Sequence, residues 1–358
     1  MKILFISPYP RSGGSSRFRI YQYLPYLAAK GHQVAVCTFL SETAYRVLYQ
    51  PGRLLRKVFV MLAGMLRCLA WLPRLRRWDV CVVHREVALW GPGWIEWLVA
   101  RLSRRLVYDF DDAVFEPHVS SANRWFAFLK STRKIPRLIA RAHAVIAGNG
   151  YLAAYARQYC ARIFQLPTPV EVNLFVPQPR PADAPLVIGW IGSHSTAPYL
   201  ELVEAALQGL LAEMGARLRI EIIGAGDFRF HGLAAHYRPW VLEREVEDLQ
   251  RFDIGIMPMP DNRWTRGKCG FKALQYMSVA IPVVCSPVGM NRELVTPGEN
   301  GFWAENTAEW QHALRTLISD AELRRQMGQR GRRLVEERYS TAPCAQRLDA
   351  ILQAVAHA

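Results

Sequence analysis

The chain has 358 residues, 51% of them apolar, and 45 Lys/Arg against 30 Asp/Glu for a net charge of +15. That is enough chain for two domains of ordinary size, each with a real hydrophobic core. The seven cysteines, at positions 37, 68, 81, 160, 269, 285 and 344, form no CxxC pair. Neither a zinc site nor a disulfide framework is indicated, and a reducing, cytoplasmic location is expected.

The basicity is one-sided. Residues 1–180 hold 26 Lys/Arg against 9 Asp/Glu, whereas residues 181–358 hold 19 against 21. A basic first half points to an anionic partner: the inner face of a membrane, a phosphorylated lipid, or nucleic acid. A solvated arginine-rich surface accounts for it equally well. No helix-turn-helix, zinc or aromatic RNA motif supports nucleic acid.

In chain order, MKILFISPYP is too short an apolar run for a secretory signal and breaks at Pro8. Its KILFIS (2–7) reads as a buried strand, followed by the loop SGGSSRFR. A helix, IYQYLPYLAAKGH, then ends at Gly31. QVAVCTF is a second strand. The apolar run VFVMLAGML (58–66) is interrupted by Arg67, which argues against an ordinary spanning helix. Arg53, Arg56 and Lys57 precede it, and Arg74, Arg76 and Arg77 follow. Two readings stand: a helix lying in a membrane interface, or a core helix packing on a sheet. VCVVH (80–84), RRLVYDF (104–110) and AVIAGN (144–149) are further strands, the last leading into the helix GYLAAYARQY.

VPQPRPADAPL (176–186) has four prolines and reads as an interdomain linker. The alternation then restarts with VIGWIG (187–192), a helix, RLRIEIIG (217–224), VEDLQRF and DIGIMP (253–258). IPVVCS (281–286) is the last strand predicted. TAEWQHALRTLI and AELRRQMGQRGRRLVEER close the lobe as helices. Strands alternating with helices predict an α/β fold. Two Rossmann-like, doubly wound parallel-sheet domains would bind ligands at strand carboxyl ends facing a central cleft. The predicted division is 1–178, a linker at 179–186, 187–340, and a final helix at 341–358.

RGKCGFKALQYM (266–277) carries two glycines and three cations at the start of a helix. That arrangement suits an anion, because the first backbone N–H groups of a helix lack internal partners. Gly270 lets the backbone approach closely, and Lys268 and Lys272 add positive charge beside Phe271. Solvated surface lysines are the plain alternative. VYDFDDA presents Asp109, Asp111 and Asp112. Three carboxylates so close would repel and raise at least one pKa. A metal site is not favoured there without another ligand cluster.

Taken together, SPYPRSGGSSRFRIYQYLPYLAAKGHQV, VYDFDDAVF, VIAGNGYLAAYA, VIGWIGSHSTAPYLE, DIGIMPMPDN and KCGFKALQYMSVAIPVVCSPVGMNRELVTPGENGF resemble the GT-B glycosyltransferases of family 4, the group 1 family. The resemblance covers essentially the whole chain. It implies transfer of a sugar from a nucleotide diphosphate, UDP- or GDP-linked, with retention and without metal or other cofactor. The first lobe would hold a saccharide or lipid-linked acceptor, as in cell-surface polysaccharide synthesis. The second would hold the donor, and the last helix would cross back to the first lobe.

On that resemblance, donor contacts fall on Gly13, Gly14, Gly192, Ser193, Lys268, Gly270, Phe271, Lys272, Gln275 and Glu293. The family's Glu-x7-Glu pair is replaced by Gly267 and Gln275; Gln275 can still exchange hydrogen bonds with ribose. Asp111 or Asp112 would be catalytic, taking the places of the family's His-Asp pair. Arg17, Arg19, His84 and Glu86 would face the acceptor. Trp90, Trp94 and Trp97 suit a sugar or lipid platform, although their spacing also suits a core helix. A catalytically degenerate nucleotide-sugar binder is the alternative, motivated by Gly267 and Gln275. An oxidoreductase is disfavoured, since GAGDFR (224–229) has only the start of a dinucleotide fingerprint.

Overall fold

A computed structural model describes residues 1–48, 52, 54–117, 131–181 and 184–358. Arg53, and Ala182 and Asp183 of the expected linker, lie outside them. The described chain folds as two compact units. Unit 1 is Met1–Pro169 with Gly267–Cys269 and Thr341–Ala358; unit 2 is Val170–Arg266 with Gly270–Ser340.

Unit 1 is built on six parallel strands: β1 (Lys2–Ser7), β2 (Gln33–Thr38), β3 (Val80–His84), β4 (Leu106–Phe110), β5 (Ala144–Ala147) and β6 (Ile163–Gln165). Their order is β2-β1-β3-β4-β5-β6. β1, β3, β4 and β5 are buried almost throughout, which explains their continuous apolar runs in place of alternation. The order reverses at β1, so the carboxyl ends of β1 and β3 flank a topological switch point. The helix Thr341–Ala356 packs on this sheet: Cys344, Leu348 and Leu352 join Ile3, Phe5, Val82 and Ile146 in one buried cluster.

Unit 2 repeats the plan with β7 (Leu186–Ile191), β8 (Leu218–Ile223), β9 (His236–Arg238), β10 (Ile254–Met257), β11 (Val283–Cys285) and β12 (Gly301–Trp303), ordered β12-β11-β10-β7-β8-β9. Its core gathers Trp190, Leu207, Ile222, Ile256, Trp310 and Leu314. Two strand glycines make room for aromatic rings. A Cβ at Gly189 would fall 2.1 Å from the Phe252 ring, and one at Gly255 2.4 Å from the Tyr276 ring. The Tyr276 hydroxyl then accepts from Ile191 N (3.1 Å) and donates to Ile256 O (3.2 Å), tying β7 to β10.

The division differs from the one expected. Residues 170–178 belong to unit 2, because Val170 bridges Ser340 and Arg332 donates to the carbonyls of Val172, Phe175 and Ser278. The proline-rich stretch is also held on unit 2: Arg180 pairs with Asp253 at 2.5 Å and donates to Pro185 O. The sequence reading missed β6, β9 and β12. Each is a three-residue edge strand, too short to show a period.

Replacing Gly255 with Ala is expected to destabilise unit 2 by about 1–3 kcal/mol through the collision with Tyr276. Urea unfolding monitored by tryptophan fluorescence checks this.

Candidate functional site: an ion-pair cluster in unit 1 and an anion cradle in unit 2

In unit 1 the carboxyl ends of β3 and β4 bring together His84, Arg85, Asp109, Asp111 and Asp112. The register places His84 opposite Asp109, so their side chains share one side of the sheet. Asp109 Oδ2 meets His84 Nδ1 at 2.6 Å and Arg19 Nε at 3.3 Å, and its other oxygen takes Arg19 Nη2. Arg85 Nε donates to Asp111 at 2.7 Å, and Lys268 Nζ donates to Asp112 at 2.9 Å. Tyr108 fixes the turn by donating its hydroxyl to Arg85 O (2.8 Å). Arg85 holds φ at +60°, a left-handed conformation that costs a residue with a Cβ about 1 kcal/mol or more.

The repulsion expected among the three aspartates is outweighed by these cations. Burial pushes the Asp109 carboxyl up, but the Arg19 guanidinium and the His84 hydrogen bond together hold it below its usual value. Burial likewise opposes ionisation of Asp111, while Arg85 and then His84 more than compensate and leave it well below the usual carboxylate range.

Arg19, His84 and Glu86, expected to face an acceptor, are all buried. Arg19 is 3% exposed, and its remaining donor goes to Leu166 O at 2.8 Å. His84 is fully buried; among the described residues its Nε2 has no hydrogen-bond partner, and it lies 3.8 Å from Asp111 Oδ1. Glu86 is buried against Lys134 (2.8 Å), which also pairs with Glu96 (3.2 Å) and donates to Ala88 O. These are scaffold contacts. Arg17 is half-buried, its guanidinium 4.2 Å from the Phe18 ring centre.

Gly13 is buried at the N-terminus of the helix Gly14–Arg19, where a Cβ would meet Tyr9 Cβ at 2.7 Å; Gly14 is exposed and open. Trp94 and Trp97 are 41% and 49% exposed at one end of the helix Trp94–Leu102. With Pro92, Arg137 and Arg141 they line a cavity of about 350 Å³.

Gly267–Cys269 packs within unit 1. A Cβ at Gly267 would lie 2.6 Å from Ala113 Cβ and 2.8 Å from Ala113 N, so no side chain fits. Asn149 Nδ2 donates to Lys268 O at 3.0 Å, and Cys269 Sγ approaches Asp111 O at 3.2 Å. Lys268, expected beside a donor phosphate, is thus engaged by Asp112.

In unit 2 the helix Phe271–Ser278 begins at Gly270, whose φ of +64° favours glycine. Lys272 Nζ donates to Thr196 Oγ1 at 3.1 Å and lies 4.8 Å from the Trp190 ring centre. A Cβ at Gly192 would strike Lys272 Cε at 2.8 Å and Trp190 at 2.4 Å, so this glycine admits the lysine to the turn after β7. Ser193 is exposed there, its hydroxyl 2.9 Å from that of Ser195. Gln275 is 4% exposed, and among the described residues its Nε2 has no hydrogen-bond partner, a costly state for a buried donor. Glu293 is exposed on the short helix Asn291–Leu294. The sequence reading named Lys272 but missed Trp190 and Thr196 as its neighbours. The only signal was their place beside Gly192.

Residues 185–320 match the family model described as Glycosyl transferases group 1. The whole chain is similar in structure to sucrose-phosphate synthase from Thermosynechococcus elongatus (TM-score 0.73, 16% identity, 98% of each chain). It is also similar to Anabaena HepE in complex with UDP-glucose (TM-score 0.67, 18% identity, 99% of this chain and 100% of that one). A third likeness is a glycosyltransferase from Rickettsia africae ESF-5 (TM-score 0.69, 14% identity, 99% and 98%). No curated protein matches the sequence. The structural likeness shows the two-domain GT-B fold, and the group 1 match supports glycosyl transfer as the reaction class.

Because the folded Asp109 and Asp111 are held below the usual 3.8, their ion pairs contribute stability that is fully present above about pH 4 and lost as pH falls further. Asp109→Asn would leave Arg19 buried without its counter-charge, costing about 3–5 kcal/mol at pH 7. It would also flatten the acid limb. Denaturant unfolding between neutral and acid pH reads both effects.

Proposed function

We propose that this chain, a GT-B protein carrying a Glycosyl transferases group 1 domain, transfers a sugar from a nucleoside diphosphate, UDP- or GDP-linked, with retention at the anomeric carbon. The acceptor is a saccharide or a lipid-linked saccharide, as in cell-surface glycan synthesis, and the setting is the cytoplasm. The observation that carries the reading is the group 1 match over residues 185–320. Within that span lie the Gly270 helix start, Lys272 and the unpartnered amide of Gln275. HepE, similar over its full length, has been solved with UDP and with UDP-glucose.

In this reading the diphosphate lies against the turn Gly192–Ser193 and the start of the helix Phe271–Ser278. Backbone N–H groups of the first helical turn and the Lys272 ammonium face it. Gln275 offers its Nε2 to a ribose hydroxyl, and Glu293 accepts from a sugar hydroxyl. The anomeric C–O bond breaks with its electron pair passing to the diphosphate. The acceptor oxygen bonds the anomeric carbon on the same face, and its proton passes to a diphosphate oxygen. Charge grows on the leaving group, so fixed cations and dipoles favour the transition state over the bound substrate. No metal is required: in unit 1, Asp109, Asp111 and Asp112 already face Arg19, Arg85 and Lys268. Asp111 and Asp112 then shape the acceptor side, with Arg85 setting their orientation.

A catalytically degenerate binder is the second reading, favoured by the exclusion of any side chain at Gly267. Thermal-shift measurements with UDP, GDP, ADP and their sugars, followed by transfer assays, separate the two. The expected result is stabilisation by one nucleotide class, turnover with its sugar, and a fall of about 10²–10³ in kcat for Lys272→Ala. Nucleotide binding without turnover for any sugar would support the degenerate binder. Unchanged turnover in Lys272→Ala would remove the role given to that lysine.

A further inference from the structure

Among the described residues, the helix Leu54–Trp71 of unit 1 leaves a long apolar face without a partner. Leu55 is 85% exposed, Phe59 72%, Leu62 52% and Leu66 67%. Spacings of four, three and four place them along one stripe of the helix. The opposite face is fixed to the fold: Met61 and Cys68 are buried, and a Cβ at Gly64 would meet Phe39 at 2.8 Å. Leu55–Arg77 is long and apolar enough to cross a membrane by length and composition. Its buried side instead keeps it on the sheet, so the exposed stripe lies along a surface.

The charge around the stripe selects the partner. Residues 43–78 contain eight Lys/Arg and no Asp or Glu. Arg56 is exposed at one end of the stripe, and Arg74, Arg76 and Arg77 are exposed just past the other. A second copy docked through this face would bring two such segments together with no carboxylate between them, which like-charge repulsion opposes. An anionic bilayer offers apolar depth for the four side chains and negative headgroups for the arginines. We propose that this face lies in the interface of an anionic membrane, with the helix parallel to the bilayer plane. The proposal stands apart from the donor chemistry of unit 2.

The test is co-sedimentation of the full chain with vesicles of phosphatidylcholine alone, or of phosphatidylcholine with phosphatidylglycerol, at low and high salt. The wild type is expected to bind the anionic vesicles, weakly at high salt. The double variant Phe59→Gln, Leu66→Gln should bind on the order of 10-fold more weakly. The triple variant Arg74→Gln, Arg76→Gln, Arg77→Gln should lose at least about 10-fold on anionic vesicles only. All five substituted side chains are exposed, and matched circular dichroism melts confirm folding. Equal binding by wild type and both variants, or no binding by the wild type, would overturn the proposal. So would a dimer in light scattering that Phe59→Gln, Leu66→Gln dissolves.

Discussion

Unit 1 is organised by the neutralisation of three buried carboxylates. Asp109, Asp111 and Asp112 sit at the end of β4, and each is met by a cation from a different part of the chain: Arg19, Arg85 and Lys268. Removing one partner would leave a charge in a low-dielectric setting, far costlier than losing a surface pair. The cluster therefore joins the first helix, the β3 turn and the 267–269 segment into one fixed arrangement. It holds Arg85 in a backbone conformation that a side chain would otherwise avoid. The scaffold around the strand ends is thus set by electrostatics as much as by apolar packing.

Unit 2 solves its problem by shape. Glycines on β7 and β10 let the Phe252 and Tyr276 rings lie directly against the strands, and Gly192 does the same for Lys272 and Trp190 beyond β7. A lysine laid over an indole keeps its charge while its stem is covered. That holds the ammonium in one place beside the turn after β7.

The fold was legible because its signals were local. Continuous apolar runs in β1, β3, β4 and β7 declare parallel, doubly covered strands, and glycine-rich turns mark where they end. The candidate site was legible only in part. Gly270 and Lys272 stand at a helix start, where spacing alone suggests an anion, whereas Gln275 was singled out only through the family resemblance. The partners of Arg19 and Glu86 lie 90 and 48 positions away, at Asp109 and Lys134. Charge alone could not tell a ligand-binding arginine from one that neutralises a buried carboxylate. Lys268 shows the same limit: its partner, Asp112, is 156 residues distant.

The tight seat of Gly267 against Ala113 bears on how such a chain can diverge. The obstruction includes the Ala113 amide nitrogen, so trimming the side chain at 113 would not clear it. A carboxylate at 267 is therefore unreachable by any single codon change that preserves this backbone, and even a paired change must shift the main chain. Drift at this locus is closed off epistatically, because any side chain at 267 is tied to the main chain at 113.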